Sequence, residues 1–481
     1  MKRIAIIGGG ISGLSAAFYL EQYRHQGAQL EYLLFEKSHR LGGTLRTELI
    51  DGCVVEAGPD SFLTEKPWAT KLCRELGIAD QLIGSNDSQR KTYIFLKNKL
   101  VPMPDGLMFL VPTKVLPTVL SPLFSASTKL RIARECFHLP RSVLKDESIA
   151  ALVERHYGRE VVERLADPLL AGVYGGEASE LSVRATLPRL AEMEARHGSL
   201  GRGMLSACKR AQQKANSAPL FTSLKNGMQQ MVDALIAKLP QDCLRTATNI
   251  HKLTTQSDAW VLWLQDGTPE RFDALILAVP APVAGALLEP ADRDLSSELR
   301  QIAYTSSITV ALGYERSAIN LPPGFGFLVP RSEGKHMLAC TFVHNKFPHR
   351  ATADRVPLRC FLGGRQVEHL LLLKDDDLVA LVREELLEIL NLSAEPLFAR
   401  VYRWRGAMAQ YAVGHLERLD RIEQRRQQLP GLSLAGNAYR GIGVPDCVRS
   451  GMDAATQAAG AVSVTSVTTA IPNPLAKQPA R

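Results

Sequence analysis

An α/β fold is predicted by three features of residues 1–36: a short apolar strand, a glycine-rich turn that opens a helix, and a second apolar strand that ends in an acid. Lys2 to Ile7 is brief, rich in β-branched residues and cut off by glycines, which is the pattern of a buried strand. Gly8, Gly10 and Gly13 follow at G-x-G-x-x-G spacing, with Gly9, Ile11 and Ser12 completing the turn. In such a turn the first glycine permits the sharp bend, the second leaves the backbone open to a pyrophosphate, and the third lets the helix sit close to the strand. The helix, expected from about Ser12 to Tyr23, aims its free amides and positive end at the same point. The second strand, Leu30 to Phe35, runs into Glu36 and Lys37. A carboxylate there accepts hydrogen bonds from ribose hydroxyls and repels a 2′-phosphate, so the ligand is FAD or NAD rather than NADP.

The next residues decide between those two. Arg40-Leu41-Gly42-Gly43-Thr44-Leu45-Arg46-Thr47 adds a second glycine pair directly after the acid. An NAD site has no use for it, whereas the far side of the pyrophosphate of a larger, two-ended flavin cofactor can be held by extra amides and a basic side chain. With this continuation the chain resembles the superfamily of flavin-dependent amine oxidases, phytoene desaturases and protoporphyrinogen oxidases. The resemblance implies noncovalent FAD, bound by Gly43 and Thr44 as well as by the first turn. It also implies a Rossmann-like FAD-binding domain interleaved with an α+β substrate domain and a helical, membrane-facing subdomain.

Composition sets the bounds. The chain has 481 residues, 46% hydrophobic and 22% charged, enough for two or three cores. Its net charge of +8 and pI near 9.0 favour anionic substrates or lipid, and the absence of long like-charge runs argues against nucleic acid. Eight cysteines show neither C-x-x-C nor metal-ligand spacing, so reduced thiols and no metal are expected. The first strand starts at residue 2, and no apolar run reaches spanning length, so neither a leader nor a spanning helix is expected.

Along the chain, Asp51 to Phe62 reads as a turn, a strand and a glycine-proline turn. In the superfamily this stretch passes beneath the flavin ring, which implies contacts from Gly58, Pro59, Asp60 and Ser61. Asp60 either faces the reactive side of the ring, as the one candidate catalytic side chain, or caps a helix starting near Glu65, or serves the turn alone. Prolines 112, 117 and 122 forbid one long helix between Leu96 and Phe124. The apolar turns there, including Phe109 and Lys114, either dip into a bilayer interface or pack on helices expected over 129–136 and 148–165. Asp167 to Ser182 is similar to a porphyrinogen oxidase signature that amine oxidases and carotenoid desaturases lack. Its glycines offer a backbone that can lie flat against a planar ligand, which makes Gly172, Val173, Tyr174 and Gly175 candidate substrate contacts. Gly172 also reads as a helix C-cap.

From Leu220 the chain returns to the cofactor domain, with a helix to Lys238 and strands over 245–253, 259–264 and 272–279. The resemblance places Ile250 at adenine, and Trp404, Met408 and Tyr411 near the flavin ring, although Ala409 stands where the family has proline. Asp375 to Leu390 is an amphipathic helix with acids at its start. Leu432 to Gly451 delivers Gly436 to the cofactor, and Ile442, Gly443 and Val444 open a terminal helix whose positive end favours reduced, anionic flavin. Residues after about 464 read as a disordered tail.

The expected layout is an FAD-binding domain from 1–88, 221–290 and 415–464, a substrate domain from 89–103, 179–220 and 291–414, a helical subdomain at 104–178 and a tail at 465–481. The implied activity is oxygen-dependent, six-electron oxidation of protoporphyrinogen IX in haem biosynthesis, with hydrogen peroxide as by-product, and coproporphyrinogen III as the alternative substrate. Amine oxidase, carotenoid desaturase and non-catalytic flavoprotein are the rival classes. Expected partners are the porphyrinogen, molecular oxygen, a membrane surface touched from the cytoplasmic side and a second copy of the chain. A propionate anchor is expected at Arg90 or Thr92, and Arg184, Arg189, Arg331, Arg403 and Arg405 fall on the substrate side.

Overall fold

The computed structural model describes residues 1–108, 110–112, 115–140, 145–212, 218–257, 259–364 and 367–462; Phe109, Lys114 and the expected tail lie outside them. Lys2–Ile7 and Leu30–Phe35 form the two expected strands, and Ile11–His25 forms the helix between them. Ile4, Ala5 and Ile6 have no exposed surface, as expected of a parallel strand covered on both faces. The sheet they start has five parallel strands in the order Leu244–Arg245, Leu30–Phe35, Lys2–Ile7, Ala274–Leu277, Leu432–Leu434. Three remote chain segments therefore build one sheet. Helices Ile11–His25, Pro67–Glu75, Gln229–Ala237 and Val444–Val462 share the core on one side. A three-stranded meander over 250–272 and helices Ala281–Leu288, Arg293–Arg300 and His415–Arg426 share the core on the other.

A second, seven-stranded sheet runs in the order Phe398–Ala409, Tyr304–Glu315, Arg355–Leu362, Met337–Phe342, Gly326–Leu328, Thr92–Leu96, Lys99–Pro102. Its register puts Val310, Cys360, Cys340 and Phe327 on one face, in the core that includes the 375–390 helix. Strand alternation then turns Thr309, Phe361, Ala339, Leu328 and Ile94 to the opposite face.

Helices between 115 and 212 form a third unit. Gly158, at φ +93, breaks the helix expected over 148–165, because only glycine takes that conformation without strain. Val115–Leu120 is a single short helix containing Pro117. Leu190, Leu200 and Met204 share a core with Leu152 and Leu165, so packing does not divide the helices at residue 178. No helix among the described residues is long and apolar enough to cross a membrane.

Candidate active site

The first glycine turn has the geometry of a dinucleotide cradle. Gly8 has φ +107, and a Cβ there would stand 2.4 Å from the carbonyl oxygen of Ala278. A Cβ on Gly13 would fall 1.9 Å from the carbonyl oxygen of Gly8, which is how closely the helix crosses the turn. Around Gly10, by contrast, nothing lies within 4 Å of that position. This open space beside a helix N-terminus fits a pyrophosphate. Glu36 accepts from the amides of Gly9 (2.8 Å) and Ser38 (2.9 Å), which aims its carboxylate along the turn. Ile11 and Ser12 begin the helix, and Lys37 is exposed beside the acid.

The second glycine pair folds onto the first. The Gly42 amide donates to the Gly9 carbonyl at 2.7 Å, and a Cβ on Gly43 would stand 3.1 Å from Gly10 Cα. Arg40 departs from its expected role: its guanidinium donates to the carbonyls of Leu41, Gly43 and Leu45, so it fastens the turn from within. Thr44 is exposed, and its carbonyl packs so tightly on Gly58 that a Cβ there would lie 1.9 Å away.

At the other end of the chain, Gly436 has φ +126 and open space where a Cβ would point. Gly441 and Asn437 are tied by one side chain. The buried Tyr411 hydroxyl donates to the Asn437 carbonyl and accepts from the Gly441 amide, both at 2.8 Å, with its ring stacked on His415. Ile442 and Gly443 precede the helix that begins at Val444, and Asp446 folds back onto the Gly443 amide at 3.2 Å in a capping arrangement. Lys66 pairs with Asp446 at 2.6 Å, so this helix start already carries a neutralised acid. Ile250 is buried at the start of its strand, just beyond Thr248, whose amide donates to the Glu36 carbonyl.

Asp60 is neither a helix cap nor a simple turn residue. The next helix starts at Pro67 behind Lys66, away from it. Its carboxylate accepts from Lys346 Nζ at 2.9 and 3.1 Å and from Ser61 Oγ at 2.7 Å, with Arg359 Nη1 at 3.8 Å. Burial alone would raise its pKa, but the two cations and the hydroxyl hold it well below the usual carboxylate range. The two cations and the hydroxyl thus favour the charged form of Asp60. Arg359 also donates to the Gly58 carbonyl, and Trp404 Nε1 donates to the Ala57 carbonyl at 2.8 Å, so the 57–61 segment is pinned across the face of the seven-stranded sheet opposite the 375–390 helix. Pro59 lies within that pinned turn.

The signature loop packs differently from the flat platform expected. The helix Asp167–Tyr174 ends not at Gly172 but at Gly175, in the left-handed conformation. The Cβ positions of Gly175 and Gly176 are filled by the protein itself: Met408 Sδ lies 2.9 Å and Thr305 Oγ1 3.0 Å from the first, and Gln410 Oε1 2.1 Å from the second. The loop thus meets the end of the 398–409 strand. Gly172 alone leaves ordinary contact distance, to Leu328 at 3.7 Å on the sheet face opposite the 375–390 helix. Val173 is 58% exposed, and Tyr174 is held through its carbonyl by Gln410. Thr92 shares a register row with Gly326, Thr341 and Arg359, which puts it on the sheet face opposite the 375–390 helix, while Arg90 is exposed two residues upstream.

The five substrate-side arginines are all engaged. Arg184 pairs with Glu417, Arg189 with Glu65, Arg331 with Glu177 and Arg403 with Asp375, and Arg405 donates to the Leu371 carbonyl. Lys346 and Arg359 are the site cations the sequence concealed. Lys346 is 286 residues from Asp60 and follows no motif.

A discontinuous dinucleotide cradle facing a mixed sheet defines an FAD-dependent oxidoreductase. The chain belongs to the family of flavin containing amine oxidoreductases, which it matches over residues 11–459. It is 34% identical over 464 residues to the coproporphyrinogen III oxidase of Bacillus subtilis (strain 168), covering 95% of this chain and 98% of that one. With the mitochondrial protoporphyrinogen oxidase of Nicotiana tabacum it shares 27% identity over 94% of both chains. The crystal structure of an Exiguobacterium sp. 255-15 protein described as a protoporphyrinogen oxidase superposes with a TM-score of 0.85 at 30% identity, over 95% of this chain and 98% of that one. Within that family the chain belongs with the coproporphyrinogen III oxidases and protoporphyrinogen oxidases.

Proposed function

We propose that the protein oxidises coproporphyrinogen III to coproporphyrin III with molecular oxygen as terminal acceptor. The observation that carries this reading is the similarity over nearly the whole chain to a coproporphyrinogen III oxidase, higher than to the plant protoporphyrinogen oxidase. It replaces the expectation of protoporphyrinogen IX, which rested on apolar turns between Leu107 and Phe124 touching lipid. Leu110, Val111, Leu123 and Phe124 are instead at most 4% exposed and pack in the helical core. Bound flavin supplies the hydride acceptor. The chain holds it through Gly8, Gly10, Gly13, Glu36 and Gly43 at one end and through the 436–444 turn and Met408 at the other, and offers the substrate the half-buried Thr92, Leu328 and Phe361 on the sheet face opposite the 375–390 helix. Initial rates with both porphyrinogens at matched concentrations test the choice. Coproporphyrinogen III is expected to react at least about tenfold faster in kcat/KM, about 1.4 kcal/mol of transition-state preference, and equal or reversed rates overturn the reading.

The propionates of this substrate need cations, and the five arginines above are already committed. Arg90, exposed at the open end of the 92–96 strand, is the side chain we assign to the task. Arg90→Ala is expected to raise KM several-fold while leaving kcat unchanged, since a remote ion pair binds ground and transition states alike. A separate proposal concerns lipid. Among the described residues the helical unit presents Leu120, Leu130, Phe137 and Leu139, between 53% and 82% exposed, as well as Val173 and Leu205, and Lys129, Arg131 and Arg134 share the short helix of Leu130. Flotation with anionic vesicles is expected to carry the wild type and to lose a Phe137→Ser, Leu139→Ser double variant.

A further inference from the structure

The helical unit encloses a buried polar cluster that flavin chemistry does not use. Glu135, the last residue of the helix Ala126–Glu135, and His156, in the helix Ile149–Tyr157, are 2% and 1% exposed. With His138, each offers one ligand atom, and these atoms lie within 4.8 Å of one another. His156 Nδ1 is 2.9 Å from Glu135 Oε1, and its other ring nitrogen is 3.1 Å from Glu194 Oε1. Glu194 is itself 3% exposed and is held by the Arg155 guanidinium, which also binds Glu147. Two carboxylates thus share the Arg155 guanidinium, and a third, Glu135, lies on the other side of the His156 ring.

We propose that Glu135, His138 and His156 form a binding site for a divalent ion of the zinc type, with Glu194 orienting His156. Two nitrogens and one carboxylate oxygen suit zinc, and a solvent molecule on the half-buried His138 side completes four-coordination. The Glu194 contact is the independent indication. A histidine that ligates a metal through one ring nitrogen characteristically gives its other N–H to a carboxylate. Glu135 is already fixed by the amides of Leu200 and Gly201 and the hydroxyl of Ser199. His138 is fixed through its backbone: Arg202 donates to its carbonyl, and Gly198, at φ +71, leaves no room for a Cβ, which would lie 2.4 Å from that oxygen. A tetrahedral ion needs donors roughly 3.3–3.6 Å apart for bonds of about 2.0–2.2 Å, so the ion would replace the Glu135–His156 hydrogen bond, now 2.9 Å, by spreading that pair slightly, and a rotation of the His138 ring would close the site. The ion would then clamp the turn that carries Phe137 and Leu139 to the helices beneath it.

The competing occupant is a proton on His156 Nδ1, bridging the same carboxylates. The two separate experimentally. Tag-free, FAD-loaded protein dialysed against micromolar Zn²⁺ is expected to retain one equivalent. Co²⁺ in its place is expected to give absorption between about 550 and 650 nm, beyond the flavin bands. Binding should release a proton and weaken as pH falls from 8 to 6. His138→Ala, a change on the half-buried rim, is expected to lower affinity by tenfold or more, and Glu194→Gln by about tenfold. Wild-type protein that retains no metal overturns the proposal in favour of the proton, and equal retention by correctly folded His138→Ala overturns the assigned ligands.

Discussion

Gly10→Val is expected to give a folded protein without FAD. Gly10 has φ −73 and ψ 180, an extended conformation open to any residue, and nothing lies within 4 Å of its Cβ position. The valine Cβ therefore meets no protein atom, and its branches extend into the open space beside the helix N-terminus that fits the pyrophosphate. A loss of at least about a hundredfold in FAD affinity, roughly 2.7 kcal/mol, is expected. Gly13→Val is the control, because its Cβ would collide with the Gly8 carbonyl and disrupt the crossing of helix and strand. Flavin absorbance after gel filtration, read beside far-ultraviolet circular dichroism, distinguishes the two variants. A Gly10→Val protein that keeps its yellow colour would disprove the cradle.

Lys346→Met is expected to cost about 3 kcal/mol of stability at pH 7, because it leaves the largely buried Asp60 carboxylate with the Ser61 hydroxyl and, as its remaining cation, Arg359 at 3.8 Å. The pH dependence follows from the depressed pKa of Asp60. In the wild type the native state binds the Asp60 proton less readily than the unfolded chain. Its contribution is thus complete above the unfolded value near 3.9 and is lost as pH falls through the lower native value. Without Lys346 the main opposing cation is gone and burial pushes that pKa back up, so protonation relieves the variant as the solution is acidified. The gap between wild type and variant should therefore shrink from pH 7 to pH 4, as measured by urea unfolding. Asp60→Asn introduced into Lys346→Met should recover most of the loss, by removing the unpaired charge. A pH-independent gap would show that Lys346 acts through packing on Phe221 and Phe347, which it overlies at 4.8 and 5.2 Å.

The sequence by itself determined the dinucleotide cradle, because everything that shapes it is local. A buried strand, three glycines with distinct steric duties, a helix start and an acid follow one another within residues 1–36, and each can be read from spacing and side-chain size. The same holds for the helix Asp375–Leu390, whose bounds follow from acids at its start and an apolar stripe. The signature at 167–182 marked a place in the chain but not its packing. Whether Gly172 or Gly175 ends the helix, and what fills the space beside Gly175, depends on Met408 and Thr305, which arrive from strands remote in the chain. Sequence spacing also said nothing of the ion pairs. Asp60 acquires Lys346 and Arg359, and the five arginines acquire their partners, only when the sheets are in register and the segments are buried together. Glu135 and His138 stand three residues apart, but His156 and Glu194 are remote from both along the chain. Their juxtaposition exists because four helices close on one core, and charge placed there is decided by desolvation and by partners that tertiary packing alone supplies.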